Sequence, residues 1–310
     1  NSSTKEINTS GITLGADKKV SENKFYGYAI QLGKDSADIG SSAALLDTDN
    51  YSLVFYGTLP HENGRFLDAA LGVSALNTNH IRTKDSIKLN GSRNGKQVFG
   101  SIKLNKIYKK NEINFNPTAR IDLGFTELSS FQERGSASAL IYNKHRIPKG
   151  LASIGMRIDN TKTFSNGNVL KPIVRLDYIS DFSPSTNTNV SYVSSPNADY
   201  FVTIGNQSTH NYKVGLGFDI STVKGWSTIF NYERHNANGS GHSDNLNFTT
   251  GWIPNKNTEY AFILNASDDF DASLNINKHI NGLDVKLVFE NDLFSNKKNQ
   301  KTNIFLSKVF

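Results

Sequence analysis

The chain has 310 residues, no Cys, a net charge of +6 and a mean hydropathy of −0.44. The lack of Cys excludes disulfides and thiolate metal sites, and no apolar run approaches the roughly 18–20 residues of a transmembrane helix. Its 34 Lys and Arg residues are interleaved with 28 Asp and Glu residues, so the sequence does not indicate a basic surface for nucleic acid.

A two-residue alternation of apolar and polar residues runs along the chain, and no stretch shows the 3.6-residue period of a helix. It is clearest over residues 113–125, where one face is apolar and the other carries Arg120 and Asp122. This stretch exceeds an average soluble strand, and a tilted strand needs about 9–11 residues to cross a bilayer. Fifteen strands are predicted, at residues 11–19, 24–34, 50–59, 65–77, 97–108, 112–127, 150–163, 169–181, 211–223, 226–236, 243–253, 258–267, 271–279, 283–292 and 302–310.

The predicted connections alternate between short and long. Short turns on one rim and long loops on the other are typical of an outer-membrane barrel. Bacterial barrels have an even number of strands, so we expect one more strand before residue 11 or one misdivided hairpin. The sequence thus predicts an all-β protein, a closed antiparallel up-and-down transmembrane barrel of 14–16 strands. The short connections are 20–23, 61–64, 109–111, 164–168 and 224–225, and the long ones are 35–49, 78–96, 128–149 and 182–210.

The polar faces of these strands carry charges of both signs. A mixture at this density predicts a wet lumen crossed by ion pairs. The alternative is the solvent-exposed face of a soluble sheet, which is disfavoured because the apolar faces have no other class of element to pack against. The predicted pore-lining residues are Asp68, Lys103, Arg120, Asp122, Arg157, Lys171, Arg175, Asp177, Lys213, Asp219 and Glu233, followed near the C-terminus by Asp284, Lys286 and Glu290.

Glycines also recur on the polar faces, and two interpretations stand side by side. Glycine in a strand often marks the close approach of another backbone, which predicts room for a segment threaded through the lumen. Equally, glycine relieves crowding where a curved wall bends inward. The glycines are Gly27, Gly33, Gly72, Gly124, Gly155, Gly215, Gly217 and Gly251.

No motif in the sequence indicates catalysis or a bound metal. Residues 235–244 contain Ser, His and Asp, but a triad is recognised by its geometry, and a flexible polar loop has the same composition. The acidic stretches 47–50 and 268–271 could offer oxygen ligands to Ca²⁺, yet neither has the spacing of a complete calcium loop. We therefore expect no enzyme activity, no cofactor and no metal site.

An ordered set of short motifs resembles the β-barrel translocator domain of autotransporters, the proteins of type V secretion. No single motif is specific, but together they span residues 10–253 in order. The resemblance implies a twelve-stranded barrel in the outer membrane of a Gram-negative bacterium, with a linker helix of the passenger in its pore. The motifs lie at 11–17, 23–27, 51–57, 66–72 with Arg82 downstream, 117–127, 154–157 and 215–217.

The resemblance also implies a function and a set of partners. The barrel would help to export a covalently linked upstream passenger to the cell surface. It would contact membrane lipids, lipopolysaccharide and the outer-membrane barrel assembly machinery, and no nucleic acid. The alternatives are a porin-like channel for small solutes and, third, an outer-membrane barrel enzyme.

The two ends of the chain depart from the simple pattern. Residues 1–9 form an N-terminal segment, either the end of a linker or a missing first strand, and residues 10–310 form the barrel. Residues 254–310 contribute additional C-terminal strands beyond the autotransporter-like 10–253. Phe310 resembles the C-terminal insertion signal of outer-membrane barrels, although Lys308 occupies a position where an apolar residue is usual.

Overall fold

The computed structural model describes residues 5–21, 24–39, 44–61, 63–205, 209–239, 241–267, 270–280, 283–292 and 300–308. No helix in these ranges is long and apolar enough to cross a membrane. Their strands are β1 (Lys5–Ser21), β2 (Lys24–Ile39), β3 (Ala44–His61), β4 (Arg65–Lys84), β5 (Ile87–Lys106), β6 (Tyr108–Lys110), β7 (Ile113–Leu128), β8 (Phe131–Gln132), β9 (Leu140–Tyr142), β10 (His145–Asn160), β11 (Lys162–Thr163), β12 (Val169–Asp181), β13 (Thr186–Tyr192), β14 (Ser195–Ile204), β15 (His210–Ser221), β16 (Trp226–Ala237), β17 (Gly241–Asn255), β18 (Thr258–Ala266), β19 (Phe270–Ile280), β20 (Leu283–Asp292) and β21 (Gln300–Lys308).

The predicted all-β class is confirmed, and the strands pair antiparallel with their neighbours in the chain. Fifteen of the strands in the described ranges fall on the fifteen predicted positions: β1–β5, β7, β10, β12 and β15–β21. The short β6 and β11 continue β5 and β10 after interruptions of one residue each. The count thus exceeds twelve, and a closed barrel of twelve strands remains a prediction.

Two predicted loops, 35–49 and 78–96, were wrong. β2 and β3 are paired from Ile39 opposite Ala44 to Phe25 opposite Thr58. β4 and β5 are joined by the two residues Asp85 and Ser86. Both of these residues have positive φ, 51° and 64°, as a tight type I′ hairpin turn requires. Apolar and polar residues are mixed on both faces of the extension at 44–49, and the alternation at 87–90 is only four residues long. No sustained alternation therefore indicated these extensions, whereas backbone pairing does not require one.

The other two long connections, 128–149 and 182–210, also contain strands that the sequence did not predict. They supply a second sheet with the order β14-β13-β9-β8. β13 and β14 form a hairpin, while β9 joins β13 from the other connection, with Val190 opposite Tyr142. Periodicity within one segment cannot reveal this sheet, because it depends on pairing between segments about 50 residues apart.

The first of two compact units comprises Asn1–Asn105, Ala119–Ser153 and Ser180–Thr209. Its strands β3 and β4 expose their apolar face, with Phe55 57% and Leu71 59% exposed. On the opposite face the hydroxyls of Ser52 and Ser74 are buried and hydrogen-bonded to each other at 2.8 Å. This arrangement inverts the usual pattern of a water-soluble sheet, whose apolar face is the buried one.

The second unit comprises Lys106–Thr118, Ile154–Ile179 and His210–Phe310. Its described part has the same inverted pattern, because Ile154 is 63% exposed and Leu216 is 51% exposed. At the tight-turn ends of β16, β17 and β18, the rings of Trp226, Trp252 and Tyr260 stack in a row at centroid distances of 5.5 and 5.9 Å. Exposed aromatic girdles of this kind mark the interfaces of membrane barrels.

Candidate functional site

The polar face of the first unit carries ion pairs. Arg120 and Asp122 lie two residues apart on β7, so they share a face, and Arg120 Nη2 is 2.6 Å from Asp122 Oδ1. Asp68 on β4 accepts a hydrogen bond from Asn105 at 2.9 Å and lies 3.9 Å from Lys103 Nζ. This polar face is therefore charged, but each charge is close to one of the opposite sign.

Asp159 is the centre of the polar face of the second unit. It is 4% exposed and accepts a hydrogen bond from Asn114 at 2.9 Å. Arg157 Nε and Lys171 Nζ lie 3.3 and 3.6 Å from its carboxylate. Asp159 was not among the predicted pore-lining residues, although its position two residues after Arg157 places it on the same face.

Neighbouring side chains occupy the space beside two of the polar-face glycines. A Cβ at Gly155 would overlap the carboxylate of Asp177, which pairs with Arg175 Nε at 2.6 Å. A Cβ at Gly72 would overlap the ring of Phe99. At these two positions the glycine makes room for a side chain of the wall itself, which favours the relief of crowding over a threaded segment.

Within each unit the structure brings most of the predicted pore-lining residues into pairs on the polar face of the strands. Lys213 joins Glu233 at 3.2 Å, and the pairs described above account for the other residues from Asp68 to Glu233 except Asp219. Near the C-terminus Asp284 pairs with His279 at 2.7 Å, while Lys286 and Glu290 form no ion pair within the described ranges. Asp219 lies opposite Ile229 in the β15–β16 register and forms no ion pair within the described ranges. Phe310 lies outside the described residues. That this face lines a lumen remains a prediction.

A second polar cluster, which we call the Glu133 cluster, was missed by the sequence analysis. It comprises His80, Arg82, Phe131, Glu133 and Tyr142. The Glu133 carboxylate is fully buried, and Arg82 donates two hydrogen bonds to it, Nη2 to Oε2 at 2.6 Å and Nε to Oε1 at 3.1 Å. The cluster thus fastens β4 to the segment that carries β8 and β9.

The three aromatic side chains of the Glu133 cluster pack against one another. Phe131 and Tyr142 stack in parallel with centroids 4.6 Å apart, and His80 meets both rings edge-on. Burial lowers the pKa of His80, although the nearby Glu133 carboxylate opposes the shift. His80 lies beyond the apolar face of β4, which ends at Ala75. Of this cluster only Arg82 was noted in the sequence, as part of the family resemblance. Its partner Glu133 was missed because it lies 51 residues away in a predicted loop.

In the stretch 235–244, which was considered for catalysis, the acidic residue Asp244 forms an ion pair with Arg234. Asp244 accepts hydrogen bonds from Tyr232 Oη at 2.7 Å and Arg234 Nη2 at 3.2 Å, while His242 Nε2 is 3.8 Å away. His235 lies opposite Ser243 in the register, on the face of the sheet opposite to Asp244. Among the described residues no three His, Asp or Glu side chains are grouped to hold a metal, and residues 268–269 lie outside the described ranges.

Comparison with known proteins identifies the family. A profile described as the autotransporter beta-domain matches residues 1–233. The translocator domain of the autotransporter NalP from Neisseria meningitidis is 18% identical, with a TM-score of 0.54 over 77% of this chain and 78% of that one. The beta domain of the Bordetella autotransporter BrkA is 16% identical, with a TM-score of 0.49 over 76% and 86% of the two chains.

A comparison with curated protein sequences gave no significant match. The profile match covers well over half of the chain, and the NalP likeness agrees with it in fold. The chain therefore belongs to the autotransporter beta-domain family, and it is a translocator of the bacterial outer membrane with a role in passenger export.

Proposed function

We propose that the antiparallel strands close into a barrel in the membrane and that their ion-paired face lines the path of the passenger. The observation that carries this proposal is the inverted burial, with apolar side chains exposed on one face and paired charges on the other. Exposed apolar faces are stable in lipid, where every backbone polar group must also be paired. Closure satisfies the edge strands that an open sheet would leave unpaired.

The proposed lumen suits an unfolded polypeptide in transit. Its wall consists of the residues from Asp68 to Glu233 named above, with Asp159 added, so apolar segments of a passenger find few surfaces to adhere to. Because the charges are already paired, the wall carries little net field to trap a segment of either sign. In this proposal residues 10–310 form the barrel, and residues 254–310 add strands beyond the family match.

The proposed partners follow from this placement. The covalently linked upstream passenger would occupy the lumen, membrane lipids and lipopolysaccharide would surround the apolar face, and the barrel assembly machinery would insert the chain. We propose no catalytic role for this domain, because Asp244 is already engaged by Arg234 and Tyr232.

Cysteine labelling in cells tests the orientation of the two faces. The chain has no native Cys, so each introduced thiol is the sole target on this protein. We expect Leu216→Cys and Ile154→Cys to resist a water-soluble maleimide in intact outer membranes. Asp219→Cys should react, because the proposed lumen is open to water. Equal reaction at Leu216→Cys and Asp219→Cys would contradict a lipid-facing apolar surface.

Passenger export is measured with the same set of variants. An epitope-tagged passenger is fused before Asn1, and its arrival at the cell surface is followed by antibody binding to intact cells. We expect surface display for the fusion and none for a passenger expressed without the barrel. A barrel that inserts but displays no passenger would point to a channel for small solutes.

A further inference from the structure

Two cavities adjoin on the apolar face of the second unit. The first has a volume of about 370 Å³, and its apolar lining includes Ile154, Leu176 and Tyr178 together with Tyr212 and Val214. The second has a volume of about 490 Å³ and is lined by Tyr212, Val214, Arg234, Asn236 and Asn238. Because both share Tyr212 and Val214, they form one continuous depression, which we call the Tyr212 groove.

The two ends of the Tyr212 groove differ in polarity although they lie on one face of the sheet. In the β15–β16 register Tyr212 is opposite Asn236 and Val214 is opposite Arg234, so these side chains project to the same side. The guanidinium of Arg234 has five N–H donors, of which its pair with Asp244 uses at most two. The groove thus has an apolar end and an end with hydrogen-bonding capacity to spare.

The polar end lies at the long-connection end of the strands. β15 begins at His210, directly after the connection that carries β13 and β14. At the same end Tyr178 Oη lies 2.6 Å from His210 Nδ1, and the Asn238 N–H donates to the His210 carbonyl at 3.1 Å. If the apolar face is in lipid, as the proposed function holds, this end is level with the headgroups of the outer leaflet.

The chemistry of the polar end favours a headgroup that both donates and accepts hydrogen bonds. Arg234 and Asp244 largely cancel in charge, so a bare anion gains little net attraction there. Guanidinium and amide N–H groups together with carboxylate and amide oxygens instead match the hydroxyls and phosphates of a sugar. Tyr212 adds an aromatic ring between the headgroup end and the apolar end.

We propose that the Tyr212 groove binds a glycolipid of the outer leaflet, and this inference rests on the proposed function. One acyl chain lies against Leu176 and Val214 at the apolar end. The phosphorylated sugar headgroup is held by Arg234 and Asn236 at the polar end. The groove therefore gives this part of the barrel a fixed lipid neighbour at the outer surface.

Native mass spectrometry of the detergent-extracted chain tests the proposal with lipid A as the probe and phosphatidylglycerol as the competing lipid. We expect the chain to retain lipid A in preference to phosphatidylglycerol. The double variant R234Q/N236L removes headgroup donors, and Val214→Trp fills the groove. R234Q/N236L should lower the retained lipid A about tenfold, as expected for the loss of one or two hydrogen bonds to a charged group. Val214→Trp should lower it as well, because its ring occupies the space of the acyl chain.

Arg175→Gln is the matched control, because it also removes an exposed Arg that pairs with an Asp in the same unit. Since Arg175 is on the opposite face of the sheet, this variant should retain lipid A as the parent chain does. Heat-modifiable migration on SDS gels establishes that each variant is folded. If R234Q/N236L does not fold, the comparison of Val214→Trp with Arg175→Gln decides the result.

The outcomes separate the groove from the translocator. If the chain inserts into the membrane and Leu216→Cys is protected, but lipid A is retained no better than phosphatidylglycerol, the groove proposal is wrong and the proposed function stands. Equal retention by the folded groove variants and the control overturns the groove proposal as well. If Leu216→Cys is fully accessible to water, the proposed function itself fails.

Discussion

Arg82 holds the buried carboxylate of Glu133 through two hydrogen bonds of 2.6 and 3.1 Å. The Leu140 N–H donates a further hydrogen bond to Glu133 Oε2 at 3.0 Å. Asn90 and Arg134 pair as an isolated bridge next to this contact. These contacts attach the second sheet to β4 and β5, so two long connections are held in one arrangement.

Replacing Arg82 with Met should release the second sheet. The substitution leaves a buried carboxylate without its cation, a change that costs about 3–5 kcal/mol. We expect faster amide hydrogen exchange in residues 129–144 and 182–204, while β15–β19 keep their protection. Arg120→Met is the control, because its partner Asp122 is partly exposed and such pairs contribute only about 0–1 kcal/mol. Equal exchange in both variants would mean that Arg82 does not hold the sheet.

The Glu133 cluster should lose stability in mild acid. The folded-state pKa of His80 is lowered from 6.5 by burial, beside the cations Arg82 and Arg93 and the opposing Glu133. The unfolded state therefore binds more protons below that pH, so stability is fully present above about pH 6.5 and decreases as the pH falls. Hydrogen exchange of residues 129–142 between pH 8 and pH 5, corrected for intrinsic rates, measures the loss. His80→Gln should reduce this dependence, and an unchanged dependence would exclude His80 as its source.

Gly72→Ala should destabilise the wall because a Cβ there would overlap the ring of Phe99. Forced displacement of a packed ring costs about 1–3 kcal/mol. Gly33→Ala is the matched control, since the nearest atoms to a Cβ at that polar-face position are 3.8 Å away. Urea unfolding in detergent micelles compares the two. A Gly72→Ala barrel as stable as the Gly33→Ala barrel would show that Phe99 adapts without cost.

Phe310→Ala should lower the amount of barrel that reaches the outer membrane. The prediction rests on the sequence, in which Phe310 follows the alternating Ile304 and Leu306 and resembles an insertion signal. Lys308→Phe restores the usual apolar alternation and should raise assembly. The folded fraction in isolated outer membranes, read from heat-modifiable migration, measures both variants. Unchanged assembly of Phe310→Ala would show that Phe310 is not part of the signal.

The principal strands could be predicted from the sequence because alternation is a local property. An amphipathic strand can be recognised within a window of about ten residues. The Arg120–Asp122 and Arg175–Asp177 pairs follow from the same two-residue period. The paired extensions near Ile39 and Ala44 and the strands around the turn at Asp85 lack a sustained alternation of apolar and polar residues, so they could not be predicted from the sequence. The resemblance predicted the family, and the profile match confirmed it.

By itself the sequence determined which face of each principal strand is apolar and which is charged, because side chains alternate along an extended backbone whatever their neighbours are. Only the tertiary structure decided which charges meet across strands and which connections fold into a second sheet. The Arg82–Glu133 contact and the Tyr212 groove depend on pairing between distant segments. Such pairing leaves no local pattern, since its stabilisation comes from groups that become neighbours only when the chain folds.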